Sequence, residues 1–211
     1  QPRIAHWNLY ALAQAVSTLL PDSKETLQNL LDGFADIFHQ HHSSLFARKL
    51  GLPVEQGEAV DTLIENTLKF MHEHTLDFTR FFRSISALNP SASVEQNFAA
   101  WQQSPFFALR LGEEAQVEGA KNWLGEWLVL AGLPTSALAD WRNQLDRTNP
   151  AFVLRNHLLQ KAIEKAEHGD FTEVNRLFIA LSDPYQTNSM PPEFTAEPPD
   201  WAKSLVLSCS S

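Results

Sequence analysis

The chain has a single cysteine in 211 residues, Cys209. One thiol excludes an internal disulfide framework and fits a reducing compartment. Positive charge is also short. Sixteen Lys and Arg against 25 Asp and Glu leave a net charge of −9, the wrong sign for a nucleic-acid surface, which clusters Lys and Arg against phosphates. No apolar run approaches the roughly 20 residues of a bilayer-spanning helix, so no membrane partner is expected. A basic, apolar signal peptide, a glycine-rich phosphate loop, a G-x-S-x-G elbow, an H-E-x-x-H pair and solenoid repeats are all missing. Methionine does not open the chain either. Gln1 already stands in a helical pattern, and the expectation is a piece of a longer protein.

What is present is bulk. Apolar residues make up 44%, with 14 Phe and 6 Trp, too much for a disordered chain, and the length suffices for one good-sized core or two small ones. Apolar positions recur at helical spacing almost throughout. Ile4, Trp7, Leu9, Leu12, Val16 and Leu19 stripe a first helix that Pro21 ends. Leu27 to Phe46 stripe a long second one, with a possible kink at Gly33 and a stop at Gly51-Leu52-Pro53. Further helices are expected over about 58–73, 75–88, 113–131 and 135–147, with short pieces and a loop over 89–112. Asn149-Pro150 predicts a turn into a helix whose Leu154, Leu158, Leu159, Ile163 and Ala166 face inward, ended by Gly169. Asp170 and Glu173 look like a capping box for its partner, which turns Phe171, Val174, Leu177, Phe178 and Leu181 inward. Four prolines then fall between Tyr185 and Asp200. The reading is all-α: an irregular multi-helix array over 1–184 with an extended Pro-rich arm over 185–211.

Candidate chemistry is sparse. His39, His41 and His42 share one turn, and His72 and His74 end another helix, but a metal site needs three or four converging donors, and solvated surface is the cheaper reading. Glu113 with Glu114, and Glu164 with Glu167, are explained by helix ends and by pairing with Lys161, Lys165 or His168 rather than as acid–base pairs. Arg155 either takes a carboxylate from outside this chain or is solvated. Cys209, flanked by serines near the end, is either an inert terminal thiol, the cheaper reading from the residues alone, or an accessible redox thiol.

The residues themselves carry a resemblance. The run Asn149-Pro150-Ala151-Phe152-Val153-Leu154-Arg155-Asn156, the run from Gln160 to Phe171, and the ending Pro198-Pro199-Asp200-Trp201-Ala202 with Ser208-Cys209-Ser210-Ser211 resemble the C-terminal region of the selenoprotein O family. Gln1-Pro2-Arg3-Ile4 and Trp7-Asn8-Leu9 are similar to a segment after that family's metal-binding loop. Phe78-Thr79-Arg80, Phe82-Arg83 and the run from Ala47 to Leu52 agree with it. The resemblance implies the C-terminal helical part of a protein-kinase-like catalytic lobe. It further implies an enzyme that moves AMP from ATP, with Mg, to Ser, Thr or Tyr hydroxyls of protein substrates. In the family the nucleotide and metal groups precede the Gln-Pro segment. No catalytic, cofactor or metal residue is therefore carried onto this chain, and its expected partner is the N-terminal catalytic half. Cys209 matches the family's redox position, which can pair with an upstream cysteine. The expected location is the cytoplasm of a bacterium, or the mitochondrion in a eukaryote. The alternative class is a stand-alone helical interaction module; a small metalloprotein using the 39–42 histidines is a third.

Overall fold

A computed structural model describes residues 2–53, 57–107, 109, 114–132, 137–188 and 190–205. The described residues form eleven α-helices, a few 3-10 turns and no strand. In order they are α1 (Pro2–Ser17), α2 (Lys24–Asp32), α3 (Phe34–Lys49), α4 (Glu58–Glu73), α5 (Phe78–Ser84) and α6 (Val94–Gln102). Then follow α7 (Glu114–Ala131), α8 (Leu138–Thr148), α9 (Asn156–Glu167), α10 (Thr172–Ser182) and α11 (Pro192–Thr195). The all-α array expected from the periodicity is what the chain forms.

The main core lies where α4, α5, α6 and α7 meet the ends of α3 and α8. It is built on large rings: Trp101, Trp123 and Trp127 with Phe70, Phe81 and Phe82, each buried. Each of three indoles also satisfies its N–H, as a buried tryptophan must. Trp123 donates to the Thr67 hydroxyl at 2.9 Å, Trp127 to the Leu50 carbonyl at 2.9 Å and Trp141 to the Gly51 carbonyl at 2.8 Å. A second, smaller cluster joins Phe152, Leu158, Ala162, Leu177 and Ala180 to Phe194 of α11.

Helix ends follow local chemistry. After α3, α4 and α9 the chain closes with a six-to-one bond, from Leu52 to Ala47, Leu76 to Met71 and Asp170 to Lys165. That motif places one residue in the left-handed region. Gly51 (φ 69°) and Gly169 (φ 82°) suit it, whereas the third position is held by Thr75 at φ 53°. Ser93 and Gln96 form a reciprocal capping box at α6.

Several expectations need correction. The long second helix is two, because Gly33 breaks the run into α2 and α3, although it stays right-handed at φ −73°. Pro150 does not open a helix. Residues 150–155 are not helical and α9 starts at Asn156, because the Ala151 and Phe152 amides are held at 2.9 and 3.2 Å by the Pro184 carbonyl. The Asp170–Glu173 box does not form: Asp170 caps the Thr172 amide, while Glu173 pairs with Lys165 and Arg176. Of the side chains expected inward on the 149–185 hairpin, Leu158 and Leu177 are buried, but Ile163, Phe171 and Phe178 are exposed, Phe178 at 71%. No residue of α1 is buried, and of its predicted stripe Ile4, Trp7, Leu9 and Leu12 are exposed and Val16 half-buried.

Candidate functional site

Arginines organise the junction between the main body and the last third of the chain. Arg83 lies on α5 between Phe82 and Ser84 and is itself buried. Its guanidinium donates to the Asp146 and Asn149 carbonyls and, at 3.1 Å, to the Tyr185 carbonyl. Burial pulls its pKa down from the usual value, and Asp146 opposes that. Five donors in a fixed fork suit a task of this kind, three carbonyls on two chain segments.

Arg155, at the entry to α9, makes a bidentate pair with Asp77 at 2.6 and 3.1 Å. Asp77 is also the N-cap of α5, accepting from the Arg80 amide at 2.9 Å. Burial would push the Asp77 carboxyl up, but the hydrogen bonds from Arg155 and Arg80 hold it below its ordinary range. Arg155 thus takes a carboxylate from within this chain rather than from outside it. Arg80 reaches the C-terminal segment as well, donating to the Thr195 carbonyl. There Phe194 stacks on Phe152 with centroids 5.1 Å apart, and Arg176 lies 5.3 Å over its ring.

Asn149 completes the junction. Its amide donates to the Lys49 carbonyl at 2.8 Å and its oxygen accepts from Lys49 Nζ at 3.3 Å. Three stretches singled out in the sequence therefore converge: 47–52, 78–83 and 149–156. Lys49 is half-buried over the Phe82 and Phe78 rings, 5.3 and 5.7 Å from their centroids. Among the described residues no carboxylate lies within ion-pair distance of it. Burial lowers its pKa.

From Phe78 and Phe82 a ladder of rings continues along α3. Phe34, Phe38, His42 and Phe46 stand at i, i+4 spacing on one helical face. Phe46 meets both Phe78 and Phe82, His42 meets Phe46 at 4.6 Å, and at the far end Phe34 stacks on His6 of α1 at 5.1 Å.

The histidines do not assemble a metal centre. His39 bonds Asp61 across to α4 at 3.3 Å, with Ser43 donating to the same carboxylate. His42 is in the ladder, and His74 packs on Phe70 at 4.8 Å. His41 and His72 are exposed. Among the described residues no group of three or more His, Cys, Asp or Glu is placed to hold an ion. Glu113 lies outside the described residues, and Glu114 sits in the first turn of α7. Glu164 accepts from Gln160 at 3.0 Å, and Glu167 is exposed in the last turn of α9. Lys161 lies 5.7 Å over the Trp201 ring. Open clefts of about 590 and 340 Å³ flank α4 and α7; both are lined by Asn66 and Glu126, which bond each other at 2.8 Å.

Cys209 also lies outside the described residues. Asp77, Arg83, Asn149 and Lys49 were not singled out as a group from the sequence. Asp77 carried a signal, an acidic cap before an aromatic helix; Arg83, following two phenylalanines, carries none, because spacing does not tell which way it turns.

A family model described as protein adenylyltransferase SelO matches residues 1–182. The chain belongs to the SelO family. It is 38% identical over 220 residues to a protein nucleotidyltransferase YdiU of Vibrio parahaemolyticus, a match covering all of this chain and 41% of that relative. Like-named relatives from Pseudomonas putida and Bordetella avium are each 34% identical, over 213 and 211 residues, with 40% of each covered. The chain spans about two fifths of the length of the curated SelO relatives it matches. Among the described residues no helix is long and apolar enough to cross a membrane.

ATP and magnesium, which the SelO assignment brings with it, do not fit the described residues. Magnesium wants carboxylate and water oxygens in near-octahedral array, and no acidic cluster is so placed. Three arginines of the junction are already committed, Arg83 to carbonyls, Arg155 to Asp77 and Arg176 to Glu173 and Glu193.

Proposed function

We propose that this chain is the helical part of a longer SelO-family protein adenylyltransferase. In that reaction a Ser, Thr or Tyr hydroxyl oxygen of a protein substrate bonds the α-phosphorus of ATP. The α–β anhydride breaks, pyrophosphate leaves with the electron pair, and the hydroxyl proton passes to a base. The base and the ATP and Mg ligands belong, in this reading, to a catalytic half outside these residues, which the chain supports. The supporting observation is the length relation: relatives named for nucleotidyl transfer match every part of this chain with only two fifths of themselves. The helical body would be 1–184 and the arm 185–211.

The arm's Cys209 is assigned a redox role. Oxidised glutathione or another disulfide would convert its thiolate to a mixed disulfide, which an upstream cysteine then resolves. A bacterial cytoplasm, or a mitochondrion in a eukaryotic host, is the compartment that suits the reading.

The test is AMP transfer from α-labelled ATP to protein. The 211-residue chain is compared with a chimera in which it replaces the matching two fifths of the Vibrio parahaemolyticus relative. Transfer by the chimera alone is expected. Transfer by neither overturns the enzymatic role and favours a helical interaction module; transfer by the chain itself overturns the division of labour. In the chimera, Cys209→Ser should abolish any response to oxidised glutathione, and an unchanged response sinks the redox role.

A further inference from the structure

The ring ladder along α3 ends on an ammonium that the described chain leaves without a counter-charge. Its other end is α1, a sixteen-residue helix with no buried residue, whose main contacts are α2 and the turn Pro21–Ser23. On α1 the ladder's His6 is exposed and its sequence neighbour Trp7 is 68% exposed, while Phe38 is 38% exposed on α3 and Phe78 is 47% exposed on α5. An aromatic strip that crosses three helices and leaves His6, Phe38 and Phe78 exposed is a mark of an interaction surface. Resting on the family reading above, we propose that this strip is the seat of the remaining SelO polypeptide. Its occupant would be an amphipathic segment that lays apolar side chains over Trp7 and Phe38 and sets a carboxylate against Lys49.

Two observations favour that occupant. More than half of each relative's length lies outside the match, which on the family reading gives a large body of the same polypeptide that can rest on a face of this region. Lys49 specifies the chemistry. It is half-buried against two rings, its one polar side-chain contact among the described residues is a neutral amide oxygen, and Asp77 beside Phe78 is already taken by Arg155. A desolvated ammonium of this kind favours an arriving carboxylate over further apolar cover.

The test is acetylation of Lys49 by N-hydroxysuccinimide acetate, followed by peptide mass spectrometry in the 211-residue chain and in the chimera. Exposed Lys161 serves as the internal standard. A carboxylate beside the amine keeps it protonated, so Lys49 should label about tenfold more slowly in the chimera. Trp7→Asp and Phe38→Asp, both at exposed positions, should restore the faster rate. Equal rates in chain and chimera overturn the proposal. So does protection in the chain alone that grows with protein concentration, which identifies a second copy as the occupant. Hydrogen exchange in the intact Vibrio parahaemolyticus relative gives an independent reading: slow exchange across the segment matching α1 is expected, and solvent-like exchange there overturns the seat. Labelling reads docking whether or not AMP is transferred. Protection without transfer therefore defeats the enzymatic reading alone, and transfer without protection defeats the seat alone.

Discussion

Arg155 and Asp77 form a two-pronged ion pair, 2.6 and 3.1 Å, between residues 78 apart in sequence. The pair fixes the start of α9 to the start of α5, and with the Arg83 bonds to Asn149 and Tyr185 it makes the last third of the chain part of the body.

Arg155→Met should destabilise the chain by about 2–3 kcal/mol, somewhat less than breaking a fully buried pair, because both side chains keep some solvent. Asp77→Asn retains the cap and should cost less. The double variant should recover at least about 1 kcal/mol of the summed loss in urea titrations. Asp77's carboxyl is held low in the folded chain. Its contribution is therefore full above the unfolded value of about 3.9 and is lost as pH falls through the folded one. Additive single losses would show that the two side chains do not cooperate.

Arg83→Leu leaves the Asp146, Asn149 and Tyr185 carbonyls without their donor, and about 3 kcal/mol of stability should go. Hydrogen exchange at the Ala151 and Phe152 amides should quicken along with it, because the Pro184 carbonyl they use hangs beside Tyr185. Arg83→Lys should not rescue, since one ammonium cannot reach across the same fork. Unchanged exchange at those two amides would contradict the clamp.

Helix ends after α3 and α4 predict opposite signs. At Gly51 an added Cβ would sit 2.7 Å from the Trp141 ring at a left-handed φ. Gly51→Ala should therefore cost about 2–4 kcal/mol, strain and overlap together, and alter Trp141 fluorescence. Thr75 occupies the equivalent exposed position at φ 53°. Thr75→Gly should stabilise by about 1 kcal/mol. A lower melting temperature for Thr75→Gly would refute the strain.

His157 is buried at the head of α9, edge-on to Trp201 at 6.0 Å. Burial, then the Lys161 and Arg155 charges, pushes its pKa below the usual 6.5. A depressed folded value means that the unfolded chain binds the proton more readily. The stabilising share is thus present above about pH 6.5 and is lost as pH falls through the folded value. Between pH 8 and 5 the melting temperature of His157→Gln should fall less than that of the parent chain. Equal falls would place the acid sensitivity elsewhere.

The sequence by itself determined the helical class, because 3.6-residue periodicity and glycine stops are local properties. The ends after Gly51 and Gly169 and the α9–α10 hairpin were legible for that reason. So was the family, carried by literal runs such as 149–156. Only the tertiary structure decided what those runs do. Pattern shows that a helix has an apolar face but not whether anything covers it, which is why Phe178 and most of α1 turn out exposed while Leu177 is buried. Buried charge was invisible for the same reason: Arg83 looks like a surface residue until the carbonyls of two distant segments are seen to close around it. Pro150 met the local rule for a helix start, and a carbonyl 34 residues further on, at Pro184, overrode it with two hydrogen bonds.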